Sequence, residues 1–260
     1  MKVNEEKIIE QIKFMYNGDA TGYINNCFFS WDEMIKHQEL SEDFIEIFLD
    51  KFDWEDIWLY QDLSESFIEK YLDNVHWVTI SRCQTLSEEF IEKYPDKVYW
   101  DEISIHQTLS ETFINKHSDK FKWSYITKCQ DLSEKFIELH SRKIDWFYVS
   151  KYQTLSEEFI EKYSDKVCWD YICIYQDLSE EFIERYLFKV DWKLISSHQF
   201  LSEDFMERHS NKLHWDDISR CQNLSENFIE RNSDKVNWLI INVRQDLSEE
   251  FRKKHPDKLD

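Results

Sequence analysis

The residue types able to do chemistry in this chain come in columns. Ten times, a Gln is preceded by one of a mixed set: His37, Tyr60, Cys83, His106, Cys129, Tyr152, Tyr175, His198, Cys221 and Arg244. Histidine and cysteine are zinc-ligand types, and zinc needs its ligands about 2.0–2.3 Å from one metal. Equivalent positions on neighbouring packed helices are about 8–10 Å apart, and Tyr takes the place freely. The column therefore predicts a half-buried packing position and no metal site. A second column pairs Ser with Glu in every unit, as in Ser87 with Glu88. General acid catalysis needs a distinct, buried, pKa-shifted pair. Ten equivalent carboxylates have one structural cause instead, the start of a helix. The third column is Gln itself, from Gln38 to Gln245. An amide donates and accepts at once, so it can tie orphan backbone groups of neighbouring turns together. A ladder that reads a ligand would vary from unit to unit, and this one does not.

Composition narrows the classes further. Two glycines, Gly18 and Gly22, leave little with which to build hairpins, P-loops or dinucleotide-binding turns. With 53 acidic and 32 basic residues the formal charge is −21. That disfavours direct contact with nucleic acid phosphates or anionic membranes and permits a basic partner. Cys27, Cys83, Cys129, Cys168, Cys173 and Cys221 form no CxxC and are too sparse for a disulfide scaffold. Free thiols in a reducing compartment are expected. The start, MKVNEEKIIEQIKF, carries charge every few residues, as neither a signal peptide nor an anchor does. No apolar run approaches 18 residues, so the expected location is the cytoplasm. No cofactor, no metal and no enzymatic activity are expected.

These columns need elements to hold them, and the period supplies them. Tryptophan stands at 31, 54, 77, 100, 123, 146, 169, 192, 215 and 238, always 23 apart. Three residues later comes Met34 or a β-branched residue such as Ile57 or Val149, and seven later the Gln. Leu-Ser-Glu-x-Phe then follows in every unit. Residues 31–260 are ten frames of 23, and a fixed period of that size marks a solenoid. Ser is a preferred N-cap, and the acids behind it, such as Glu157 and Glu158, suit the positive helix end. The capping box proper is missing, because Phe stands where its Glu should be. Leu155, Phe159, Ile160 and Tyr163 recur at helical spacing. The half-unit from Trp to Gln is a second helix, whose start Asp145, Asp191 or Asn237 can cap while other units offer Tyr or Lys.

The predicted fold is an all-α, right- or left-handed solenoid of ten two-helix repeats. Residues 1–30 are expected to form a capping helix over 3–16 (Val3, Ile8, Ile9, Ile12, Phe14) and a degenerate lead-in. Residues 31–260 form the array, which ends in the half-unit LSEEFRKKHPDKLD with Arg252 in place of the usual Ile. Helices this short are unstable alone, so the repeated Trp, Ile, Leu and Phe are expected in the core.

Units of the form LSEEFIEKYxDKVxWxxISxxQ resemble tandem repeats in uncharacterised proteins of giant DNA viruses, bacteriophages and AT-rich bacteria. The resemblance covers all ten units. It implies a helical array engaged in host interaction and carries no residue-by-residue activity.

Function is then sought where the pattern breaks. One and two residues after Trp most units are polar, such as Asp32 and Glu33. Four consecutive units depart: Tyr125, Phe147 with Tyr148, Tyr171, and Leu194. Interfaces favour such side chains, so these five are the candidate partner-binding residues of a non-enzymatic protein-binding scaffold. One alternative is an acidic nucleic acid mimic that inhibits a DNA-binding host enzyme. A duplex carries about one charge per 1.7 Å, or on the order of 60 over 100 Å, far above −21. Another alternative is a structural protein that self-associates through its array.

Overall fold

The structure, a computed structural model, describes residues 31–259. The helix expected over 3–16 and the rest of the lead-in lie outside the described residues. The fold is an all-α solenoid of two-helix repeats, and among the described residues no β-strand occurs. The chain divides after Gln130 into two compact units, although the sequence motif runs through that point unchanged.

The first unit holds α1 (Trp31–His37), α2 (Glu42–Ile47), α3 (Trp54–Tyr60), α4 (Glu65–Lys70), α5 (Trp77–Cys83), α6 (Glu88–Lys93), α7 (Trp100–His106), α8 (Glu111–Lys116) and α9 (Trp123–Cys129). Short 3-10 turns at Leu49–Lys51 and Leu72–Asn74 follow α2 and α4. The second unit holds α10 (Glu134–Leu139), α11 (Trp146–Tyr152), α12 (Glu157–Lys162), α13 (Trp169–Tyr175), α14 (Glu180–Arg185), α15 (Trp192–His198), α16 (Glu203–Arg208), α17 (Trp215–Cys221), α18 (Glu226–Arg231), α19 (Trp238–Arg244), α20 (Glu249–Lys254) and α21 (Pro256–Leu259). Within each unit, successive Trp helices pack side by side.

The Ser-Glu helices begin where the sequence places them. Each Ser is an extended N-cap whose hydroxyl accepts from the Phe N–H three residues on, as Ser179 does from Phe182 at 3.1 Å. The capping box that the sequence lacks locally is completed from the neighbouring repeat. The Ser179 N–H donates to Glu157 Oε1 at 2.6 Å, and Ser202 does the same to Glu180 at 2.6 Å. In the first unit Ser64, Ser87 and Ser110 use Glu42, Glu65 and Glu88. These Ser-Glu carboxylates thus satisfy an orphan donor of the next helix start.

The Trp helices begin at Trp in every unit. Asp53, Asp145, Asp191 and Asn237 cap with their side chains, whereas His76, Tyr99, Lys122, Cys168 and His214 make no side-chain cap. A serine four residues after the preceding Trp serves several of these starts instead. Tyr99, Cys168 and His214 donate their backbone N–H to Ser81, Ser150 and Ser196 at 2.8–3.0 Å.

The Gln column ties the repeats. Gln199 Oε1 accepts from the Leu178 N–H at 3.0 Å, while its Nε2 donates to the carbonyls of Cys173 and Gln176, both at 2.8 Å. Gln84, Gln107, Gln222 and Gln245 repeat this three-way bond. It spans residues 21, 23 and 26 positions earlier, so every such bond joins two repeats.

The residue three after Trp is fully buried in the described repeats, from Met34 to Ile241, and Leu, Phe and Ile of the Ser-Glu half surround it. Tryptophan departs from the expected core position: its ring is half-buried in every repeat. An indole carries an N–H that must find an acceptor, which favours the edge of a core. Trp169 Nε1 donates to the Ser164 carbonyl at 2.9 Å, the ring packs near Phe182, and Lys189 lies over it at 5.5 Å. Trp58, outside the 23-residue ladder, is the buried one and bonds to the Asn74 carbonyl at 2.9 Å. At the other end, α21 folds back so that Leu259 is buried and its carbonyl accepts from Asn242 Nδ2 at 2.6 Å. Arg252, Lys253 and Lys254 on α20 stay exposed.

Candidate functional site

On a helix with 3.6 residues per turn, turning Ile (Trp plus three) and Gln (plus seven) inward leaves the residues one, five and six after Trp toward solvent, with the residue two after Trp at the margin, half-buried in most repeats and buried at Thr79 and Asp217. These four columns make up the outer side of the Trp helices, with the second column at its half-buried edge. In the first unit they are mixed: Asp32, Glu33, Lys36 and His37 on α1, and Glu55, Asp56, Leu59 and Tyr60 on α3.

In the second unit the same columns turn aromatic on α11 and α13, while α17 returns to Asp216 and Asp217 and α19 carries Leu239 and Ile240. Phe147 and Tyr148 on α11 meet edge to face with ring centroids 5.3 Å apart. Phe147 also meets Tyr171 of α13 edge to face at 4.7 Å. Tyr148 lies 5.9 Å from Tyr152, and Tyr171 lies 5.9 Å from Tyr175 with the ring planes 18° apart. Leu194, on the adjacent α15, is half-buried. Four of the five candidate residues thus share one face of the second unit. Phe147 keeps 42% of its surface exposed, while Tyr148 and Tyr171 are half-buried. Tyr125 belongs to α9 of the first unit. It is half-buried beneath the Lys122 ammonium, 5.4 Å from its ring, and Lys122 also pairs with Asp101.

The column before Gln corrects the expectation made for it. Tyr60, Tyr152 and Tyr175 are exposed, the last to 51%, and so are Cys83, Cys129 and Cys221. The Gln side chain turns inward to its backbone partners, and the residue before it is carried about 100° around the helix, toward solvent. Treating this column as packing concealed Tyr152, Tyr175 and their neighbour Lys151. The signal was available as Tyr in that column in the two units where the column four earlier also carries Tyr.

Lys151 sits among these rings, 5.1 Å from the centroid of Tyr152, 5.4 Å from Tyr171 and 5.7 Å from Tyr175. A hydrogen bond with Tyr152 holds its pKa above the ordinary lysine value against the opposing effect of desolvation. On the Ser-Glu helices of the second unit, Lys162 and Lys254 pair with Glu138 and Glu230, whose carboxyls those lysines hold below the usual range. Arg185, Arg208 and Arg231 pair with Glu161, Glu184 and Glu207 in the same register. The acidic Ser-Glu helices are therefore partly neutralised by the next repeat, while the Trp helices α11, α13 and α15 carry Lys151, Asp170 and Lys193.

The site chemistry offers little beyond contact. Among the described residues no group of His, Cys, Asp and Glu is placed to hold a metal ion. Cys173 is buried, and burial pushes its thiol up to about 11, which makes it a poor nucleophile at neutral pH. The grooves between repeats are open to solvent, such as the one lined by His76, Trp77, Val98 and Tyr99. No helix among the described residues is long and apolar enough to cross a membrane. No family model matches the chain, and no curated protein or solved structure is significantly similar to it.

Proposed function

We propose that this chain is a non-enzymatic protein-binding scaffold that engages another protein through the aromatic face of its Trp helices. The observation that carries the reading is a division of labour. Ser, Glu and Gln of the repeat motif are consumed in bonds between repeats, and Ile, Leu and Phe in the core. Phe147, Tyr148, Tyr171 and Leu194, with Tyr125 in the first unit, serve none of these roles and break the motif. Aromatic anchors of this kind dominate binding energies where they are desolvated. The resemblance to viral and phage repeat proteins makes a host protein the expected partner, and the exposed thiols suit a reducing cytoplasm.

Charge mimicry of nucleic acid is less well supported, because the Glu in the last turn of these Ser-Glu helices, from Glu46 to Glu230, is already paired with a Lys or Arg from the next repeat. The test is a Tyr125/Tyr148/Tyr171 triple-alanine variant against a partner captured from lysate. Affinity should fall at least tenfold, about 1.4 kcal/mol, and wild-type binding should change little with salt. Unchanged affinity in a folded variant would end the reading, and a steep loss with salt would favour the mimic.

A further inference from the structure

Lys151 stands close to three tyrosine rings. The reach of a lysine five residues after Trp toward a tyrosine of the next repeat occurs also in the first unit, where Lys36 lies 5.9 Å from the Tyr60 ring. There one ring is involved, and Lys36 also approaches Asp56 at 3.8 Å. Around Lys151 three rings converge from two repeats, Tyr152 on α11 and Tyr171 and Tyr175 on α13. No carboxylate pairs with Lys151 among the described residues. Ring contacts also tie these tyrosines to their neighbours. Phe147 braces Tyr171 edge to face at 4.7 Å, and Tyr171 lines up with Tyr175 at 5.9 Å.

The rings beneath Lys151 present the negative side of their quadrupoles and Tyr152 adds a hydrogen-bonding hydroxyl, a combination that selects cations, ammonium and guanidinium groups above all. The place is held by the chain's own side chain, a half-exposed lysine on a flexible four-carbon stem.

We propose that Tyr152, Tyr171 and Tyr175 form a cation-accepting cage in which Lys151 is a resident plug, exchanged on binding for an arginine or alkylated lysine side chain of the partner. This rests on the scaffold reading and specifies the partner's anchor. In that exchange Lys151 swings out to solvent, and the partner's cation takes the position over the three rings. A lysine plug lowers the apparent affinity of the cage, since binding must first displace it.

The experiment uses the full chain and tetramethylammonium chloride as the probe, read by saturation-transfer NMR and calorimetry, with neopentyl alcohol as the neutral isostere. Lys151→Ala, which empties the cage, should bind tetramethylammonium at least threefold more tightly than the wild type. Adding Tyr171→Ala to that variant should abolish binding, Tyr171→Phe should retain most of it, and neopentyl alcohol should not bind. The cage is overturned if Lys151→Ala gains no affinity, if the neutral isostere binds equally well, or if Tyr171→Phe binds no better than Tyr171→Ala. The probe is not a protein, so the two readings fail separately. A cage without tetramethylammonium affinity leaves the triple-alanine result standing, and an unaffected partner with a working cage removes the scaffold face alone.

Discussion

Gln199 shows what one side chain of the motif does. Its amide makes three bonds, all to backbone groups of the preceding repeat, at 2.8–3.0 Å, and it is buried. Removing it strands an N–H and two carbonyls in a place water reaches poorly, and each unsatisfied buried group costs about 1–3 kcal/mol. Gln199→Ala should therefore lower stability by on the order of 3 kcal/mol, read as a shift of the urea midpoint at unchanged slope. Gln199→Glu should be at least as harmful, because it turns a carboxylate onto two carbonyl oxygens. A loss below about 0.5 kcal/mol, the size of an ordinary surface substitution, would mean that the ladder is not what joins the repeats. The role of Gln as a tie was legible from its invariance and its amide chemistry. Its bonding distances of 21, 23 and 26 residues were not, because they follow from how one repeat sits on the next. The exposure of Tyr152 and Tyr175 was hidden for a related reason. Which of two adjacent residues turns inward at a helix end is decided by the acceptors it finds there.

At the scale of the element, helices of six and seven residues cannot stand alone. Stacking supplies burial, and it also supplies caps. Ser179 caps its own helix through Phe182, while Glu157 of the preceding repeat takes the Ser179 N–H. Ser179→Ala should cost about 1 kcal/mol, as an N-cap does. Glu157→Ala should cost a comparable amount although Glu157 lies one repeat away, and urea denaturation of both variants would check it. A silent Glu157→Ala would show that water replaces the carboxylate. The local sequence reported a capping box with half its residues missing. The other half was in view as the Glu of every Leu-Ser-Glu, but it belongs to the neighbouring helix, a fact of packing that no window of one repeat contains. The start of the Trp helix has the same explanation. Where Tyr99, Cys168 or His214 offers no cap, the buried Ser81, Ser150 or Ser196 of the repeat before accepts the backbone N–H.

At the scale of the whole molecule, repetition separates what builds from what binds. A strict 23-residue period, with Trp, Ile, Gln and Leu-Ser-Glu-x-Phe in fixed register, made the all-α solenoid readable before any coordinate. Residues whose neighbours are set by the repeat were readable with it. Residues that depart from the repeat, such as Tyr125 and the Phe147–Tyr148 pair, were visible as departures, but their company was not. The frame in which Phe147 meets Tyr171, and Tyr171 meets Lys151 and Tyr175, exists only once α11 and α13 lie side by side. The central claim is that binding falls on the Trp-helix face and structure on the rest. The most direct measurement is cross-linking of the chain to its captured partner, with the linked residues located by mass spectrometry. Links concentrated on α11, α13 and α15, at and around Phe147, Tyr171 and Leu194, are the predicted result. Links confined to the acidic Ser-Glu helices, with none on the Trp helices, would contradict it.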